Sequence, residues 1–374
     1  MDSIYNYTKE MLINYMVSLN EKTYRTDQII EWLYRNKVSS FDDMTNISKK
    51  FIEKLKADFM IDELKLVTKQ ESYDGTKKFL FELSDGNLIE SVLMTYEYGY
   101  SICVTSEVGC NMGCAFCASG MRKKLRNLST SEMVLQILMV EKLENLKIGN
   151  VVIMGIGEPF DNYDNVINFI KIINYAKGLE IGARHITVST CGIVPKIYEF
   201  ANLDLQINLA ISLHSAKNEV RNEIMPINKS YNLDLLIKAI KDYIDKTTKR
   251  VTIEYILLKD VNDSKDDALT LAKLLKGLNV YVNLIPYNEV KEKPYKRSNK
   301  EQMHIFFDTL KKENINVQLR KEQGSDIDAA CGQLRSKNLK WKKGELSIWM
   351  VEYIKYYLKI ILQLMLRLEV NLGL

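Results

Sequence analysis

Apolar positions recur along the chain in two alternating rhythms. From about residue 101 onward, short runs rich in β-branched residues are separated by stretches whose apolar residues return every three or four positions. The runs are SICVTS at 101, NVVIMG at 150, HITVST at 185, INLAISLH at 207, RVTIEYILL at 250 and VYVNLIP at 280. The first rhythm predicts strands and the second amphipathic helices. Six βα units in succession predict a parallel sheet with helical crossovers, either an open doubly wound sheet or a full or partial barrel. In each form the site lies at the carboxyl ends of the strands.

The first 95 residues follow another order. IYNYTKEMLINYMVSL and TDQIIEWLYRN keep the helical period, whereas KKFLFELSDGNLIESVLM alternates about an SDGN turn. The expectation is an N-terminal helical accessory domain with a β extension over 1–95, then a βα domain over 96–340. Beyond Lys343, Glu352, Lys355, Lys359, Gln363 and Arg367 draw one polar stripe along an otherwise apolar helical pattern. These charges oppose a membrane span. The segment 341–374 is expected to be an amphipathic tail dispensable for chemistry.

Composition narrows the class. With 374 residues, 46% hydrophobic and 27% charged, the chain has the makeup of a soluble globular protein with a large core. The net charge is only +4, but basic residues gather around 122–126, 291–297 and 335–343. Such clusters are ordinarily solvated surface and also suit a phosphate backbone. The first residues, MDSIYNYTKEML, carry no basic-then-apolar signal, so a cytoplasmic, reducing address is expected. Six cysteines there read as metal or redox chemistry rather than a disulfide framework. Only three histidines are present, which argues against histidine-based zinc hydrolysis.

Three of the cysteines, Cys110, Cys114 and Cys117, fall in GCNMGCAFCASG, directly after the first strand of the repeat. A structural zinc site takes four protein ligands, and no nearby Cys or His supplies the fourth. Three thiolates on a cubane iron–sulfur cluster leave one iron open to a substrate. The CxxxCxxC spacing after a strand resembles the radical S-adenosylmethionine (SAM) superfamily, in which that open iron chelates the amino and carboxylate groups of SAM. At the following strand ends, Gly157 and Glu158 of GIGEP offer close approach and an acceptor for the SAM ammonium. Ser189 of STCG and Ser212, Leu213 and His214 of SLH are candidates for the sulfonium substituents and ribose, and Asn288 of PYN for the adenine edge. Each of these alone reads as a turn or capping residue; their common position at strand ends raises them.

With YRTDQIIEWLY, FDDMTN, SICVTSEVGCNMGCAFCAS, RNLSTSE, NVVIMGIGEPFDN, HITVSTCG, LAISLH, MPIN, NLIPYN and QGSDIDAACGQLR in this order, the chain resembles the bacterial adenine-C2 methyltransferase family. That family modifies 23S ribosomal RNA in the peptidyl-transferase region and transfer RNA in the anticodon loop. The resemblance runs from about Thr23 to Gln333. It implies a partial (βα)6 radical-SAM barrel, a [4Fe–4S] cluster, two SAM molecules per turnover and an electron donor such as flavodoxin or ferredoxin. No stable membrane insertion is expected. Adenine C2 is electron-poor, so simple displacement on the SAM methyl fails. The resemblance implies that Cys331 takes a methyl group from one SAM by displacement. A radical made from a second SAM then removes hydrogen from that methyl, and the methylene adds to C2. Cys103 resolves the adduct by attack on the Cys331 sulfur, forming a disulfide, and Glu90 accepts the C2 proton.

From composition alone Cys103 is an ordinary buried strand thiol and Glu90 a solvent-facing strand residue. Cys191 is read as structural, and His185 and His304 as packing or surface residues. Two other functions stay open: the adenine-C8 methyltransferase that confers antibiotic resistance by the same radical logic, and a noncatalytic metal-cluster protein that binds RNA. Pro159 after Gly157-Glu158 resembles the C2 group, and the third reading leaves Cys103 and Cys331 without a role.

Overall fold

The computed structural model describes residues 1–121, 123–324, 326–327 and 332–335. Cys331 and the expected tail over 341–374 lie outside the described residues. Three helices open the chain: α1 Lys9–Ser18, α2 Arg25–Tyr34 and α3 Lys49–Asp58. Thr8 starts α1 by accepting from the Met11 N–H, and α2 buries Ile29, Ile30, Leu33 and Tyr34 on one face. These side chains join the core of the rest of the molecule, so helices and sheet share one apolar interior.

Ten strands form one sheet: β1 Lys65–Glu71, β2 Lys77–Glu82, β3 Leu88–Tyr96, β4 Gly99–Cys103, β5 Ile148–Ile153, β6 Ile186–Thr190, β7 Asn208–Ser212, β8 Val251–Leu257, β9 Val280–Pro286 and β10 Val317–Leu319. They lie side by side in chain order. Pairing is antiparallel from β1 to β4 and parallel from β4 to β10. The six strands β4 to β9 are those expected from the apolar runs; β1 and β10 were not anticipated. Among the described residues the edge strands β1 and β10 do not pair, so the barrel is partial.

Helices fill the crossovers: α4 Thr130–Glu144, α5 Tyr163–Asn174, α6 Val194–Phe200, α7 Asn218–Ile224, α8 Leu233–Thr247, α9 Lys265–Leu275 and α10 Lys300–Lys312. Strand β8 shows how the sheet sorts its two faces. Val251, Ile253, Tyr255 and Leu257 are fully buried in the core, while the intervening Glu254 and Ile256 line a cavity. The β extension continues the same sheet through the β3–β4 pairing, with Val92 opposite Cys103. Phe79, Phe81, Ile89 and Leu93 turn one face of its hairpin to the core. Lys78, Leu80, Leu88 and Glu90 stand on the other face, with Leu80 directly opposite Glu90 and Lys78 on the diagonal. No described helix is long and apolar enough to cross a membrane.

Candidate active site

A cavity of about 400 Å³ opens at the carboxyl ends of the parallel strands. Its lining includes Cys103, Cys110, Cys114, Cys117, Gly157, Glu158, Ser189, Ser212, His214 and Asn288. Ten residues picked from six separate motifs therefore meet around one space. Leu213 and Glu90 are absent from the lining; Leu213 is fully buried in the main core.

The loop that carries the three clustered thiols is closed at its base by a short antiparallel pairing of Glu107–Val108 with Arg126–Asn127. Gly109 begins it at φ +89°, where a Cβ would stand 2.4 Å from the Lys123 carbonyl oxygen, so only glycine fits. The Ala115 N–H donates to the Ile224 carbonyl, and the Lys124 N–H to Asn111 Oδ1. Lys124 Nζ bridges Glu107 Oε1 at 2.7 Å and Asp161 Oδ2 at 2.8 Å. Glu107 Oε2 in turn accepts from the Glu158 N–H at 2.9 Å, fastening the cysteine loop to the GIGEP turn. Burial lifts the Glu107 carboxyl to about 7, against the pull of Lys124. Gly157 sits at φ +111°, and a Cβ there would come within 2.6 Å of the Glu107 side chain.

Burial pushes the Cys110 thiol up to about 12, and Cys114 is raised by the same cause. Thiols that resist ionisation when unligated release their protons on meeting metal. Among the described residues no three His, Cys, Asp or Glu groups converge as a single ion requires. The three thiols line one cavity, and three thiolates are a donor set that an iron–sulfur cluster would accept.

Glu158 is 3% exposed, and burial raises its carboxyl. Its Oε1 accepts from the Phe160 N–H at 3.0 Å and its Oε2 from the Cys191 N–H at 2.8 Å, so it caps its own turn and ties it to the end of β6 while lining the cavity. His214 holds φ +58° and is buried; its Nδ1 accepts from the Ile256 N–H at 3.1 Å. Burial, with Arg221 adding to it, lowers the imidazole to about 3. A neutral ring accepting at Nδ1 carries its proton on Nε2 as a fixed donor. Ser189 and Ser212 face each other with 3.5 Å between hydroxyl oxygens.

Three residues absent from the sequence reading complete the surroundings. Arg221, fully buried, donates to the carbonyls of Leu213 and Cys191 and to Asn228 Oδ1, placing a cation behind the thiols. Glu254 lines the cavity and accepts from Asn283 Nδ2 at 2.8 Å. Glu107 is the third. SEVGC, as part of a family motif, carried the only signal for Glu107; nothing marked Arg221 or Glu254.

Glu90 is 3% exposed and sits on the hairpin face that lines the cavity at Val92 and Met94, two residues from the partner of Cys103. Contrary to the solvent-facing reading from composition, its Oε2 lies 2.9 Å from the fully buried Lys78 Nζ and 2.7 Å from the Gly332 nitrogen. Its Oε1 accepts from the Arg335 N–H. Cys331 itself lies outside the described residues, and Cys103 lines the cavity. Cys191 is buried, and His185 and His304 are exposed.

Comparison with known proteins gives a consistent picture. The profile of the radical SAM superfamily matches residues 105–272, and that of the ribosomal RNA large subunit methyltransferase N-terminal domain matches 3–61, upstream of the Thr23 start anticipated. The chain is 55% identical over 341 residues to the probable dual-specificity RNA methyltransferase RlmN of Spiroplasma citri, covering 90% of this chain and 98% of that protein. Its Acholeplasma laidlawii counterpart is 55% identical over 336 residues, covering 90% and 99%. A crystal structure of a radical SAM methyltransferase from Sphaerobacter thermophilus superposes with a TM-score of 0.84 at 38% identity, over 89% of this chain and 99% of the other.

Proposed function

The chain belongs to the RlmN family of dual-specificity RNA methyltransferases within the radical SAM superfamily, and from that premise we propose that it methylates C2 of adenine in 23S ribosomal RNA and in transfer RNA. The target positions are the peptidyl-transferase region and the anticodon loop. The observation that carries this reading is the single cavity on which the three clustered thiols, Cys103 and the strand-end residues converge.

Cys110, Cys114 and Cys117 would hold a [4Fe–4S] cluster, which with SAM and electrons from a flavodoxin or ferredoxin would supply the hydrogen-abstracting radical chemistry that adenine C2 needs. Two SAM molecules serve each turnover, one as methyl donor and one as radical source, in a cytoplasmic enzyme. Gly157 lets the backbone approach, and Glu158, Ser189, Ser212, His214 and Asn288 orient the SAM amino, ribose and adenine groups. Glu158 keeps unused lone pairs for the ammonium after its two backbone bonds. His214 contributes an Nε2–H donor. Leu213, anchored in the core, holds Ser212 and His214 on either side of it in place.

Cys331 accepts the methyl group as a thiolate and later carries the methylene that bonds to C2. Cys103, on the cavity wall, attacks the Cys331 sulfur; the disulfide forms as the sulfur–carbon bond breaks, and the electron pair of that bond passes to the methylene carbon, which takes up a proton to become the C2 methyl. Glu90 takes the C2 proton. Its oxygens are already bonded to Lys78 and two backbone N–H groups, so the proton arrives at a carboxylate held rigidly in place.

Mass spectrometry of unmodified ribosomal and transfer RNA, incubated anaerobically with the reconstituted protein, SAM and reductant, tests the assignment. Methyl at C2 of adenine is expected. Methyl at C8 would move the chain to the resistance-type activity, and no methyl would leave a noncatalytic RNA-binding protein.

A further inference from the structure

The β extension has no part in the chemistry assigned above except through Glu90, yet two separated stretches of chain close to Cys331 are fastened to it. On the upstream side, the β1–β2 turn reaches out from Ser72 to Thr76. Asp74 Oδ1 accepts from the Thr76 N–H at 2.9 Å, which shapes the turn, and Asp74 Oδ2 accepts from the Gly324 N–H at 2.8 Å. Two residues further on, Asp326 accepts from the Ser72 hydroxyl and, at 3.2 Å, from the Tyr73 N–H.

Downstream, the residues that immediately follow Cys331 sit on the cavity-side face of the hairpin. Leu334 is 3% exposed and packs against Leu80 and Leu88, which stand beside Glu90 on that face. Glu90 accepts from the Gly332 and Arg335 N–H groups, the pattern of a carboxylate at the start of a helical turn. Gly332 holds φ +83°, and a Cβ on it would lie 2.9 Å from Ser119 Oγ, so this turn also abuts the cysteine loop two residues past Cys117. The barrel side adds Arg297, paired with Glu322, and the Glu289 carbonyl, which accepts from Gln333.

We propose that the hairpin of the β extension is a two-point clamp for the acceptor-cysteine segment, with Asp74 and Ser72 holding it before Cys331 and Lys78, Glu90 and the Leu80–Leu88 pair holding it after. Fixing both ends shortens the range that Cys331 explores and raises the share of time it spends in reach of its methyl donor. Asp74 and Ser72 are positioning residues, remote from the reacting atoms. This inference rests on Cys331 as the methyl acceptor.

The test follows S-methylation of Cys331 in cluster-loaded protein given SAM without reductant, by peptide mass spectrometry over time. Losing one carboxylate acceptor in Asp74→Ala is expected to slow methylation about fivefold, an effect on the order of one ordinary hydrogen bond. Asp74→Asn, which keeps an acceptor oxygen, should recover part of the rate. Iron content and reductant-driven 5′-deoxyadenosine formation should match the parent in both. Ser72→Ala, which removes one partner of Asp326 from the turn, is read in the same way and serves if Asp74→Ala folds poorly. Labelling of Cys331 by iodoacetamide is a second readout that needs no methyl transfer, and it should quicken in Asp74→Ala and Ser72→Ala. Parental methylation and labelling rates in both variants overturn the clamp. A parent that never methylates Cys331 overturns its role as acceptor, while quickened labelling in the variants would still support the clamp.

Discussion

The parallel half of the sheet and its antiparallel extension belong to one hydrogen-bonded layer but use it differently. Along β4 to β9 the working residues stand at strand ends, in loops held by positive-φ glycines and buried carboxylates, and each contributes a particular atom to the cavity. In the hairpin β2–β3 the working residues lie in mid-strand on one pleated face: a buried Lys78–Glu90 pair beside two leucines. Parallel strands align their carboxyl ends on one side and so gather loops from distant parts of the chain. An antiparallel hairpin presents a continuous face instead, which suits the docking of another segment. One region does chemistry by convergence; the other holds a partner in place.

The sharpest break between them is Cys114→Ala. It should abolish 5′-deoxyadenosine formation while the hairpin and the fold persist, as circular dichroism and parental labelling of Cys331 would show. Activity at the parental rate would mean that the cluster lies elsewhere. The reciprocal change, Lys78→Met, leaves the Glu90 carboxylate buried without its cation and should cost about 3 kcal/mol in urea unfolding. The folded fraction should still cleave SAM. Unchanged stability would show that the pair contributes nothing to the hairpin.

The smallest expected effect concerns pH. The His214 imidazole protonates near 6.5 in the unfolded chain but only near 3 in the fold, because burial and Arg221 oppose its charge. Its contribution to stability is therefore fully present above pH 6.5 and lost progressively as pH falls towards 3. His214→Asn tolerates the positive φ and removes that titration, so its melting temperature should fall less than the parent's between pH 6.5 and 4.5. Equal declines would mean that His214 is not buried neutral.

The strand-end half was largely legible in the sequence because its chemistry is local. Cys110, Cys114 and Cys117 lie within eight positions, and GIGEP, STCG and SLH each follow an apolar run that is itself a strand. Adjacent residues of a strand end point to opposite sides, so Ser212 and His214 reach the cavity while the Leu213 side chain packs in the core. Arg221 escaped notice since a cation bonded to backbone carbonyls has no sequence partner to betray it. The docking face of the hairpin was hidden for a similar reason: Glu90 and Gly332 are 242 positions apart. The edge strands β1 and β10 carry too few apolar alternations to stand out. β1, with no fully buried position, shows none of the core signal that exposed β4 to β9.

The central claim is a division of labour between two isolated cysteines, Cys331 as methyl acceptor and Cys103 as resolving thiol on the cavity wall. The measurement that tests it is peptide mass spectrometry of ribonuclease-digested Cys103→Ala after anaerobic turnover with SAM, reductant and RNA. Without a thiolate to attack the Cys331 sulfur, the methylene bridge should persist, and nucleotides should remain attached to the Cys331 peptide through denaturation. Cys331→Ala under the same conditions should give neither adduct nor methylated RNA. Normal methylated product from Cys103→Ala, or an adduct on another residue in Cys331→Ala, would contradict the account.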